Sequence, residues 1–250
     1  ADKIRQLPIR CQYAIKLLAC VGSKCNETIL QLFMREEEGF HDELSGKERK
    51  SSDDSNDQFM MFDFAVDEGL LQKEGRNYNF AHDQIQHAAY SLIPEDERGR
   101  LHKHIGKLIL IYVSDDELDD VLFLAVDQLN RGAAFIEEEE EKMDLAMLNL
   151  RAGEKAMSLS TFLIAVSYLK AGIGMLPEGH WGKHYDLSLQ LYSLYAEAEY
   201  CIGHFQEVGY ATGVVIKEAK SFENKLRVYA ILIKSLAAQK KAAGCNTHRL

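Results

Sequence analysis

With 250 residues and 46% hydrophobic side chains, the chain can bury a sizeable core, and its length allows one or two domains. A formal net charge of −10 argues against a nucleic-acid-binding surface. The longest apolar runs, Leu108 to Val113 among them, are far too short to span a bilayer, and no basic-then-apolar leader opens the chain.

Alanine rather than methionine stands first, so a segment of a longer polypeptide is expected. Cys11, Cys20, Cys25, Cys201 and Cys245 form no C-x-x-C pair, and reduced thiols in a cytoplasmic protein are the expectation. Leu7 to Val21 reads as a helix with Ile9, Tyr13, Leu17 and Leu18 on one stripe, closed by Gly22-Ser23. Asn26 is placed to cap a second helix carrying Ile29, Leu32 and Phe33. Apolar residues then nearly vanish, and residues 36–57 are expected to form a disordered loop, because burial cannot offset the entropy of ordering them.

A third helix, Phe59 to Glu68, presents Phe59, Phe62, Ala65 and Val66 and ends at Gly69. It carries Asp63, Asp67 and Glu68 with no Lys or Arg, the wrong charge for a helix that reads DNA. Leu70-Leu71-Gln72 and Tyr78-Asn79-Phe80 are strand candidates joined by a turn-like segment, Lys73 to Asn77. Three helices followed by a hairpin is winged-helix order. His82-Asp83 comes directly after the second strand, and the helix that follows places Ile85, Ala88, Ala89 and Leu92 on one face.

Pro94-Glu95-Asp96-Glu97 combines proline with acids near the positive end of a new helix, whose stripe is Leu101, Ile105, Leu108 and Tyr112. Ser114-Asp115-Asp116 ends that unit, dividing the chain into residues 1–114 and 115–250. Leu118 to Phe135 and Met143 to Ser158 read as helices separated by the acidic run Glu137 to Glu141. An internal repeat follows: Ser160 to Ala165 aligns with Gly203 to Val208 at an offset of 43 (205 against 162). Along His184 to Cys201, Leu187, Leu191, Leu194, Ala198 and Cys201 mark one stripe, and Tyr185, Leu189, Tyr192 and Ala196 another. A helix apolar on two sides is packed between neighbours, as in stacked helix pairs. The expected fold is mainly α: a winged-helix-like subdomain with a small β-hairpin, then an α-solenoid of tetratricopeptide-like helix pairs.

The run Phe80-Ala81-His82-Asp83-Gln84-Ile85-Gln86-His87-Ala88-Ala89-Tyr90 resembles the signature near the end of the ATPase module in large multidomain signalling serine/threonine and histidine kinases. Those ATPases are signal-transduction NTPases of the AAA/STAND type. Leu122 to Ala134, Asn149 to Ala156, Tyr168 to Ile173, His184 to Leu187 and Ala196 to Tyr200 are similar to later parts of the same proteins, in the same order. The resemblance implies a winged-helix C-terminal part of an ATPase module in residues 1–114 and a helical repeat domain in 115–250. It further implies that His82 and Asp83 sense nucleotide: the imidazole donates to the β-phosphate, and Asp83 caps the helix and orients the loop. ATP or ADP with Mg²⁺ would be held mainly outside this chain, by an upstream ATPase core in the same polypeptide. Kinase modules and proteins docking on the repeats are the other partners implied.

Within these residues no G-x-x-x-x-G-K-[ST], H-R-D or D-F-G occurs, so the segment itself is expected not to be an enzyme. The rival reading is an interaction scaffold with no nucleotide role. His180 and His184 have a spacing that can chelate a metal from one helix face, but without an obvious third ligand; His102 and His104 point to different faces. No metal, nucleic-acid or membrane partner is expected.

Overall fold

Helical stripes and one short β-rich stretch translate, among the described residues, into a mainly helical chain with one three-stranded antiparallel sheet. The computed structural model describes residues 2–30 and 62–246. They fall into two compact units, Ala1–Phe135 and Ile136–Leu250. The expected loop at 36–57, Leu32, Phe33 and the start of the third expected helix lie outside the described residues.

The first unit opens with α1 (Asp2–Arg5) and α2 (Ile9–Val21). The strand β1 (Lys24–Asn26) follows, then helical residues 27–30 and 62–67. Asn26 ends the strand and caps the next helix, its Oδ1 accepting from Thr28 N–H at 2.8 Å. Next come β2 (Leu71–Glu74) and β3 (Asn77–Phe80), joined through Gly75, whose φ of 61° is the left-handed conformation that a tight hairpin requires of its first loop residue. β3 is central, pairing with β2 (Leu71 opposite Phe80) and with β1 (Cys25 opposite Tyr78). Tyr78 is fully buried, and its hydroxyl donates to Asp63 at 2.9 Å while accepting from Lys73 at 2.8 Å. Asp63 is thereby tied to the sheet.

Three longer helices complete this unit: α3 (Asp83–Ser91), α4 (Glu95–Tyr112) and α5 (Asp115–Arg131), followed by a 3-10 turn at Ala133–Phe135. Here the structure differs from a boundary after Ser114, for α5 belongs to the first compact unit. Its buried Leu122, Ala125, Val126 and Leu129 need a partner surface, and α4 supplies one. Glycines let the two helices approach closely. A Cβ on Gly106 would lie 2.6 Å from Leu129 Cγ, and one on Gly132 would lie 2.5 Å from the Lys103 backbone nitrogen.

In the second unit α6 (Glu139–Ser158) begins inside the acidic run rather than after it. Glu139, Glu140 and Glu141 occupy its first turn, where carboxylates complement the positive end of the helix dipole. Then come α7 (Phe162–Met175), α8 (His180–Lys183), α9 (Tyr185–Cys201), α10 (Phe205–Glu218) and α11 (Phe222–Asn246). The pairs α6–α7 and α9–α10 are both helical hairpins, and their turns are alike. In both, the second helix has 14 residues, and the later one begins 43 positions after the earlier (205 against 162). The turns match bond for bond. Thr161 N–H donates to Ala156 O at 2.9 Å, and His204 N–H to Glu199 O at 3.0 Å. Ser160 (φ 58°) and Gly203 (φ 79°) hold the same left-handed position. α9 also packs on α7 and α11, which is why it is buried on two sides, at Leu191, Leu194 and Ala198 and at Ser188, Tyr192 and Tyr195. Among the described residues no helix is long and apolar enough to cross a membrane.

Candidate functional site

His82 is positioned by the sheet behind it. Phe80 ends β3 with its ring buried, and its N–H donates to Ser23 O at 2.9 Å. Ala81 N–H donates to Leu70 O at 3.0 Å, so both neighbouring segments hold the backbone just before the histidine. His82 itself is extended (φ −157°, ψ 143°) and exposed. Its C=O accepts from Ile85 N–H at 2.8 Å, which starts α3.

The imidazole, not the Asp83 carboxylate, caps that helix. His82 Nδ1 accepts from Gln84 N–H at 3.2 Å, whereas Asp83 is already the first helical residue. The expectation that Asp83 caps the helix is thus corrected: its place inside the first turn aims its charge at the helix dipole instead. This bond also fixes the tautomer. A neutral ring that accepts at Nδ1 carries its proton at Nε2, so an N–H donor is left free to face outward.

The other end of α3 enters a buried polar network that the sequence does not announce. Tyr90 Oη lies 3.0 Å from His102 Nε2 on α4, and His102 Nδ1 lies 2.7 Å from Gln128 Oε1 on α5. Gln128 Nε2 donates to the Cys20 carbonyl of α2 at 3.0 Å. Its amide nitrogen must face a carbonyl, so its oxygen faces the ring and accepts from Nδ1–H. Nε2 is then bare and accepts from the tyrosine hydroxyl. His102 and Gln128 are 2% and 1% exposed. Burial lowers the His102 pKa, and Arg131 and Arg98 push it the same way, while the bond to Gln128 opposes them. Arg98 also stacks over the Tyr90 ring at 4.8 Å.

Two further histidines and three cysteines sit in structural roles. His180 Nδ1 is 2.7 Å from Ser188 Oγ, and its ring stacks on Tyr192. His184 lies 3.9 Å from Glu139, so it and His180 have different partners. Among the described residues no group of three or more His, Cys, Asp or Glu side chains is placed to hold a metal ion. Burial pushes the thiol of Cys11 up to about 11 and those of Cys20 and Cys25 up to about 12, which removes them as nucleophiles.

Over 192 residues the chain is 26% identical to the hybrid signal transduction histidine kinase G of Dictyostelium discoideum. The matched stretch is 67% of this chain and 6% of that protein, so the chain spans a small fraction of the relative's length. No family model matches the chain. No solved structure matches it either.

Proposed function

We propose that this chain is a regulatory segment of a multidomain signalling protein, in which a winged-helix lid in the first unit senses nucleotide held by an upstream P-loop module. The observation that carries this reading is the exposed His82 ring, whose Nδ1 accepts from Gln84 N–H and so leaves Nε2 to carry the proton. In closing, the lid brings that donor to the β-phosphate, and Asp83 holds the N-terminal turn of α3 in the orientation the contact requires. A ligand shifts such an equilibrium only through unequal contacts with the two states, and a phosphate bond made only when closed meets that condition. The similarity to a hybrid signal transduction histidine kinase supports a signalling role. On this reading the two hairpins of the second unit are tetratricopeptide-like repeats of an α-solenoid, which receive the state of the lid or pass it on. ATP hydrolysis and any phosphotransfer belong to other modules of the parent.

The test is nucleotide retention by the intact parent protein. His82→Ala removes both the contact and the cap, while His82→Asn keeps a strong capping side chain but lacks the reach. Both variants are expected to weaken ADP binding by about 10-fold to 150-fold, the loss of one hydrogen bond to a charged group. Unchanged ADP affinity in both would remove the mechanism.

A second reading, an interaction scaffold without a nucleotide role, draws on the two hairpins of the second unit and on exposed apolar side chains such as Leu163 (69%) and Ile233 (67%). Parent protein lacking residues 1–135 separates the two readings. On the lid reading nucleotide alters partner binding by the intact parent and ceases to do so in the truncated protein; a scaffold binds its partner equally with and without nucleotide in both.

A further inference from the structure

The polar chain through His102 has no part in the phosphate contact, yet it grips the helix that His82 begins. α3 runs for nine residues from Asp83 to Ser91, with the capping imidazole at one end and Tyr90 in its last turn. His82 and Tyr90 are therefore about 12 Å apart along a rigid rod. Beyond Tyr90 the donors and acceptors run in one direction, from tyrosine hydroxyl to imidazole, to glutamine amide, to the Cys20 carbonyl. Each inner member has a single buried partner on either side. Tilting α3 away from α4 would strand the unprotonated nitrogen of His102 without a donor, and moving α5 alone would strand its N–H.

We infer that Tyr90, His102 and Gln128 are positioning residues for His82, making α3 and α5 move as one body so that displacement of the histidine is passed to Gln128. The inference rests on the lid reading for its purpose, but the coupling belongs to the chain itself. Apolar packing also joins these helices, in one core that includes Leu18 of α2, Ala89 of α3, Ile109 of α4 and Ala125 of α5. The polar chain adds to it a directional link that runs through all four helices.

Nuclear magnetic resonance of the 250-residue chain tests it. Nitrogen-15 spectra are expected to show His102 protonated at Nδ1 and bare at Nε2; the reverse tautomer would overturn the assignment. The side-chain amide of Gln128 then reports the coupling. His82→Ala is expected to shift that resonance in the otherwise unaltered chain, and the shift is expected to fall by more than half in the Tyr90→Phe background. Tyr90→Phe keeps the ring over which Arg98 stacks and deletes only the donor. A Gln128 response of equal size in both backgrounds, or none in either, would overturn the relay. If ADP retention by the parent still depends on His82 in that case, the nucleotide contact stands without the relay. A coupled Gln128 with ADP retention indifferent to His82 would do the reverse.

Discussion

At the scale of single residues, two histidines of the first unit show how neighbours assign a tautomer and with it a task. His82 accepts at Nδ1 from its own helix and offers Nε2–H outward. His102 does the opposite, donating from Nδ1 to Gln128 and accepting at Nε2. Its lowered pKa makes the fold lose stability in acid. Unfolded, the ring titrates near about 6.5; folded, it titrates lower. Above that pH it is neutral in both states and contributes fully. As pH falls through the unfolded value, the unfolded chain binds a proton that the folded chain refuses, and stability is lost. His180 is shifted the same way by burial, so the measurement must be a difference. Urea midpoints of the unaltered chain and of His102→Gln at pH 7.5 and 5.5 should show the smaller acid loss in the variant. Equal losses would mean that the ring is not held neutral. His82-Asp83 is readable in the sequence because it punctuates a strand and a helix. The His102 network is not, since a buried hydrogen-bonded Gln or His on a helix looks like any solvated polar residue.

At the scale of elements, glycines divide by what surrounds them. Gly132 ends α5 with an ordinary negative φ, but a Cβ there would press on backbone atoms, 2.5 Å from Lys103 N and 2.7 Å from Gly99 O. Backbone cannot swing aside as a side chain can. Gly132→Ala should therefore destabilise the chain by about 1–3 kcal/mol through overpacking. Gly209, inside α10, faces open space, with nothing within 4 Å of where a Cβ would stand. Gly209→Ala should stabilise by about 0.5–1 kcal/mol by restricting the unfolded chain. Thermal or urea unfolding checks both; matching signs for the two substitutions would contradict the packing argument. The likeness of the two turns is legible in sequence because Phe162 and Phe205 each stand two positions after the turn residue, Ser160 or Gly203, that takes the left-handed conformation. β1 is not, because three residues with one buried side chain have no periodicity, and its partner β3 lies far along the chain. The start of α6 is misread for an electrostatic reason: an acidic run looks like a linker until its place at the positive end of a helix dipole is recognised.

For the whole molecule, hydrophobic patterning makes the mainly helical class and the small sheet readable, but not the place where one unit stops. An amphipathic helix such as α5 shows in sequence that it must pack, and does not show on which side. The glycine-lined approach of α4 and α5, visible only in three dimensions, assigns it to the first unit. The functional account is likewise larger than this chain, which matches 6% of the length of its Dictyostelium relative. Its central claim places one outward imidazole against a phosphate seated elsewhere in the parent polypeptide. A structure of that intact polypeptide with ADP bound measures this directly. The account predicts His82 Nε2 within about 3 Å of a β-phosphate oxygen, ordinary hydrogen-bond range, while Nδ1 still caps α3. A ring turned to solvent on a closed lid, well beyond that range, would contradict it.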